Sequence, residues 1–416
     1  MNNTLCLIVV CKPYFSMIKR LSAESLFCHI IVINTILLVQ LIMDELNYKK
    51  SVDCLIYLCT CSINNVDVEA SKLEHIDLNN LYQVSCKHML ASMVGQILCD
   101  FGISTSNFES VIALAQRKAI VLDNEYKLLS TYLESSEIWY MPLKGIILKD
   151  LYPRFAMREM ADYDILFDFS RAGDVKDIMK NLGFQVKSFG EKNDDDYIKP
   201  PVSNFEMHRS LFGNAHDKRF VDYYCDLKTR LVKDDNYDFR YHFTPEDFYI
   251  FMIAHEYKHY SSSGTGLRSL IDTYIYLKNY SLDLNYVKNE TRKLGISEYE
   301  EDNRTLSQKV FTGQQLNEKE RVMFDYIVSA GVYGTFSNSV ENKLKKEGRK
   351  KYFTRRFFGP YKKDDPYRIA FRKKYSTFYK YPVLLPFLPF YRLFKAIKNN
   401  PKRIKSEINT LKSQKE

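Results

Sequence analysis

The sequence predicts an α+β fold, with a small mixed β-sheet at its core and helical regions on its N- and C-terminal sides. Three observations predict it. Stretches before Ser135 and after Thr244 carry apolar residues near the 3.6-residue helical period. Between them, short runs rich in Ile, Val, Tyr and Phe give the order strand, helix, strand, helix, strand, strand. The 416 residues are 45% hydrophobic, which suits a packed core and excludes a disordered chain.

Residues 1–42 form an apolar N-terminal extension. Residues 26–42 are nearly uncharged, a marginal length for a membrane span, and Lys19 and Arg20 precede them. Met43-Asp44-Glu45-Leu46 offers no signal cleavage site. We expect Met43 to be the natural start, with a membrane anchor as the alternative. Residues 43–135 read as helical, from Leu55, Leu58, Ile63, Leu81, Met89, Met93 and Ile97, with Asn107 and Ser110 as helix caps.

The core is expected over 136–243. Residues 137–143 read as its first strand and 146–152 as a short helix. A strand then carries Asp162 and Asp164, and Ser170 caps a helix ended by Gly183. Residues 184–189, 197–201 and 205–211 read as further strands, and the acidic run 191–196 as a solvated turn. A second helical region follows over 244–340, opened by Thr244 as cap and Pro245 at the first position.

Net charge is +9, but it is unevenly spread. From Lys343 onward there are 23 Lys/Arg against 5 Asp/Glu, so the remainder is net acidic by 9. The arm 341–416 is therefore basic and aromatic. It reads as a solvated arm folded back on the core, or as a surface for RNA or an anionic membrane. Of nine cysteines, five lie between Cys54 and Cys99, and none has zinc-finger spacing. That suits reduced thiols in a cytoplasmic protein, with membrane association as the alternative.

The chemistry centres on Asp162 and Asp164. Carboxylates at i and i+2 of a strand share a face and repel, unless a divalent cation such as Mg²⁺ sits between them. Upstream, Lys144-Gly145 forms a turn before a helix, suited to phosphate. Arg158 stands close by, and Glu206 and His208 share a face of a later strand.

In order, Leu143-Lys144-Gly145, Tyr152-Pro153, Arg158-Glu159-Met160-Ala161-Asp162-Tyr163-Asp164-Ile165-Leu166 and Glu206-Met207-His208 resemble the uncharacterised nucleotidyltransferase family of bacteria. That family lies in the nucleotidyltransferase superfamily, of polymerase-beta-like fold. The resemblance implies Mg²⁺-dependent transfer of a nucleoside monophosphate from an NTP to an unknown acceptor: protein, RNA or small molecule. Asp162, Asp164 and Glu206 would hold the metal. Lys144, Gly145 and Arg158 would bind the nucleotide, with a structural pairing to Asp162 or Glu159 as the alternative for Arg158. His208, His255, His259, Arg268 and Asp272 would serve the acceptor side or support the site, with Arg268 and Asp272 spaced to pair. Lys-Gly stands where active members usually carry Gly-Ser, Ala161 where Gly is frequent, and Arg209 where an aromatic often follows. These departures keep a non-catalytic nucleotide- or partner-binding protein as the alternative. His255-Glu256-Tyr257-Lys258-His259 also matches the zinc-protease helix, but Ser261–Gly266 breaks the helix before a third ligand. A glycosyltransferase of the Asp-x-Asp type would need a Rossmann-like half before the pair, and residues 44–135 do not supply one.

Overall fold

The computed structural model describes residues 23–213, 216–359 and 368–413. The expected extension lies outside them up to residue 22. Helix α1 (Ala23–Asn64) is followed by α2 (Leu78–Lys87), α3 (Ala91–Asp100) and α4 (Ser106–Ser135). Asp77 caps α2 by accepting from the Asn79 and Asn80 amides. Thr105, not Asn107 or Ser110, caps α4: its backbone is extended and its side chain accepts from the Phe108 amide. The helix thus starts ahead of both expected caps. Among the described residues, no helix is long and apolar enough to cross a membrane.

The sheet comprises β1 (Tyr140–Pro142), β2 (Tyr163–Phe167), β3 (Gln185–Ser188), β4 (Asp194–Lys199) and β5 (Ser203–His208), in the order β1-β2-β5-β4-β3. β2 and β5 run parallel and the other pairs antiparallel, so the sheet is mixed. A single-turn helix α5 (Gly145–Leu148) and helix α6 (Ala172–Asn181) connect its strands. Ser170 does not cap α6. It lies in a short 3₁₀ turn capped by Asp168, and α6 starts beyond it.

The acidic run is not a solvated turn, because Asp194, Asp195 and Asp196 open β4. Asp195 is buried and answered by Arg209, at 2.9 and 3.0 Å, and by the Gly190 amide. Asp196 accepts from Ser188 Oγ at 2.8 Å. These partners supply what a buried carboxylate needs, and the charge of the run concealed them.

Beyond the sheet lie α7 (Lys218–Tyr223) and a ribbon of β6 (Val232–Lys233) with β7 (Tyr241–His242). Helices α8 (Pro245–Tyr260), α9 (Leu267–Asn279), α10 (Leu284–Leu294), α11 (Ser297–Phe311) and α12 (Glu318–Ala330) follow. The Thr244 hydroxyl caps α8 by accepting from the Asp247 amide at 3.1 Å. The chain ends in α13 (Phe336–Glu347), α14 (Arg349–Phe358), α15 (Arg368–Lys374), α16 (Ser376–Lys380), α17 (Leu388–Asn399) and α18 (Pro401–Ser413).

Two main cores result. Leu55, Leu58 and Met93 pack with Tyr249, Ile253, Leu270 and Leu306 in one. One sheet face (Tyr163, Ile165, Phe167, Tyr197, Phe205, Met207) packs on Leu122 and Leu129 of α4 and Met179 of α6 in the other. Side chains alternate along a strand, so the opposite face takes Asp164, Glu206, His208, Asp194 and Asp196.

Candidate active site

Strand register brings the acids together. Asp164 pairs with Glu206 across β2 and β5, and Glu206 with Asp196 across β5 and β4. His208 pairs with Asp194 in the next row. Three carboxylates from three strands thus form one row, beside a histidine. The ligating atoms of Asp164, Glu206 and His208 lie within 4.8 Å of one another, as do those of Asp194, Asp196 and Glu206. His208 Nε2 is 2.8 Å from Asp164 Oδ1 and 3.8 Å from Glu206 Oε2. Asp162 stands just before β2 and belongs to neither set among the described residues, though it feels the charge of Asp164 and its own charge is felt by Glu206.

Lys144 reaches into this row. Its Nζ donates to Asp164 Oδ1 at 3.0 Å. Its backbone, at φ 38° and ψ −105°, is a strained conformation for a residue with a side chain, set at the turn between β1 and α5. At Gly145, which follows, the space for a side chain is taken by the ends of two others. A Cβ there would lie 2.6 Å from Met160 Cε and 2.9 Å from Arg158 Nη1. Gly145→Ala is therefore expected to lower stability by about 1–3 kcal/mol through overpacking. A urea melt checks it, and an unchanged midpoint would contradict the packing argument. The amides of Ile146, Ile147 and Leu148 are committed to the carbonyls of Leu143 and Lys144. A phosphate at this turn would rely on the Lys144 ammonium more than on helix amides.

Residues 74–312, more than half of the chain, match the family described as uncharacterised nucleotidyltransferase. The chain belongs to that family. No curated protein and no solved structure matches it.

In this family member, the electrostatics of the row suit a cation. Burial, then the charges of Asp164 and Asp162, push the Glu206 carboxyl up to about 8. Asp162 is raised by burial and by Asp164. Burial opposes ionisation of Asp164 too, but Lys144 and His208 outweigh it and hold that carboxyl well below the usual range. Without a cation, native Glu206 therefore keeps a proton that the unfolded chain, with its ordinary value of 4.5, releases. Its contribution to stability is full below that value and is lost as pH rises through about 8. Added Mg²⁺ should replace that proton, so the rise in melting temperature should be larger near pH 8.5 than near pH 6. Glu206→Gln should flatten the difference. A rise independent of pH in the unaltered protein would contradict it.

The remaining expected residues separate. Arg158 is buried and forms two hydrogen bonds with Asp272, Nε to Oδ1 at 2.8 Å and Nη2 to Oδ2 at 2.9 Å. Tyr152 Oη donates to the same carboxylate at 2.7 Å. Asp272 thus takes Arg158, not Arg268, as its hydrogen-bonded partner. Arg268 instead donates to the Glu159 carbonyl at 3.0 Å. These groups tie the loop carrying Tyr152–Met160 to α9, behind the acid row.

His255 and His259 adjoin on α8, ring centroids 4.7 Å apart. Burial, then neighbouring cations, keep both imidazoles neutral, His259 falling to about 3. Glu256, in the middle of the zinc-protease pattern, points elsewhere: Asn303 donates to it in a buried cluster.

Three residues of this site escaped the sequence reading. Lys258 lies 3.1 Å from His255 Nε2, and its charge couples to Lys144, Asp164, Glu206 and Asp194. Burial and Lys144 lower its ammonium to about 8. The zinc-protease pattern disguised it as a spacer. Asp194 and Asp196 repeat the i, i+2 signal of Asp162 and Asp164, followed by strand-forming Tyr197 and Ile198, which is the signal that would have found them.

Proposed function

We propose that this protein transfers a nucleoside monophosphate from an NTP to a hydroxyl acceptor with a divalent cation held on its acid row. One observation carries the reading: in a chain of this family, Asp164, Glu206 and Asp196 align on one sheet face beside Lys144. The donor set fits a hard cation, since the Asp194, Asp196 and Glu206 group offers only oxygen and the Asp164, Glu206 and His208 group adds one nitrogen. When bound, Mg²⁺ would neutralise charge on the triphosphate.

The other roles fall to the chain itself. Lys144 and Lys258 supply positive charge for the phosphates, and Lys144 would leave Asp164 for them as nucleotide arrives. His208 positions Asp164 through its Nε2 contact. The acceptor oxygen bonds the α-phosphorus and the α–β anhydride bond breaks. Pyrophosphate leaves with the electron pair, and the hydroxyl proton passes to water.

NTP labelled at the α-phosphorus should leave label on an acceptor from cell extract, while γ label should leave as pyrophosphate. Transfer of γ label, or of neither, would overturn the reading. A second reading, nucleotide binding without transfer, is favoured by Lys144 already pairing with Asp164. It predicts that NTPs raise the melting temperature while no α label is incorporated.

A further inference from the structure

Helix α17 has two unlike faces. Arg392, Lys395, Ala396 and Asn399 line a cleft of 1580 Å³ that reaches Lys258 and His259. Leu388 is buried, and Arg392 donates to the Phe357 carbonyl at 2.7 Å, so this side is fixed to the fold. The other side is not covered. Phe387, Phe390 and Phe394 are 62%, 71% and 68% exposed, and Ile397 continues the row at 49%. Steps of three, four and three residues put them on one helical face. Val383, like Phe387 on the preceding 3₁₀ turn, adds to it at 78% exposure.

Water alone gives no reason for such a row. What surrounds it names the occupant. From Arg368 to Ser406 there are eleven Lys/Arg and no Asp or Glu. Lys395, Lys398, Lys402 and Lys405 are exposed along α17 and α18. A helix with bulky aromatic side chains on one face and flanking lysines lies in the plane of an anionic lipid surface, rings among the acyl chains and ammonium groups at the headgroups. A nucleic acid would answer the charge but leave Val383 and Ile397 in water. A second copy would bring the same positive field against itself.

We propose that α17 and the turn before it dock this protein peripherally on an anionic membrane surface. The inference does not depend on catalysis, and its test reads no activity.

The test is co-sedimentation of the full chain with vesicles of phosphatidylcholine alone, or with about 30% phosphatidylglycerol added. Binding is expected only to the anionic vesicles, weakening as salt rises. Phe390→Glu with Phe394→Glu should reduce the partition coefficient at least tenfold, as should Lys398→Glu with Lys402→Glu. Circular dichroism of both pairs should match the unaltered protein, since all four side chains are exposed. Four results would each overturn the proposal: no binding to anionic vesicles, equal binding to neutral ones, binding indifferent to the phenylalanine pair, or a dimer in sedimentation velocity that the same pair breaks while vesicles capture nothing.

Discussion

Asp164→Asn is expected to lower the proposed nucleotidyl transfer by at least about 10²–10³-fold, in a protein that remains folded. The size of the effect follows from position. Asp164 ends the acid row, on the strand that pairs with Glu206, and it receives both Lys144 and His208 on Oδ1. An amide in its place keeps the shape but loses the charge that fixes a cation and orders those two partners. Lys144 then loses its ion-pair partner, but its side chain is partly exposed and water can replace the carboxylate, so the stability effect is small. Label transfer measures the first effect and urea denaturation the second. Retained transfer by this variant would remove Asp164 from the chemistry.

Asp272→Ala is expected to produce the largest loss of stability, about 3–5 kcal/mol, by leaving the Arg158 charge buried and alone. Both side chains of this pair are less than a tenth exposed. Burial works against the Arg158 charge, and Asp272 more than restores it. The Tyr152 hydroxyl loses its acceptor as well. Because the pair ties the loop before β2 to α9, cation affinity should fall with stability. Replacing both members with apolar residues, Arg158→Met with Asp272→Leu, should be less harmful than Asp272→Ala, since no charge is then stranded. Denaturation midpoints decide it. A loss under about 1 kcal/mol for Asp272→Ala would show that water reaches Arg158.

Much of this was legible in the sequence, because the signals were local. Alternation around Tyr163–Phe167 gave a strand, and the same parity put Glu206 and His208 on one face. Thr244 and Pro245 marked the start of α8. What was not legible depended on partners far along the chain. Nothing near Asp195 announces Arg209 as its counter-charge, so the run 191–196 read as solvent-facing. Nothing near Arg158 announces Asp272, 114 residues away. The spacing of Arg268 and Asp272 suggested a pair within one helix, and a long-range partner won because two parallel hydrogen bonds to a buried carboxylate outweigh one i, i+4 contact. Lys258 was hidden for another reason, since a five-residue pattern drew the eye to the histidines on either side.

The central claim is that acids from neighbouring strands hold a divalent cation. Crystals soaked with Mn²⁺ and a non-hydrolysable NTP test it most directly through the anomalous signal. The account predicts a peak within about 2.2 Å of Glu206 and of Asp164 or Asp196, with Lys144 moved from Asp164 towards phosphate. A row without a peak, with Lys144 still paired to Asp164 while nucleotide is bound, would contradict it.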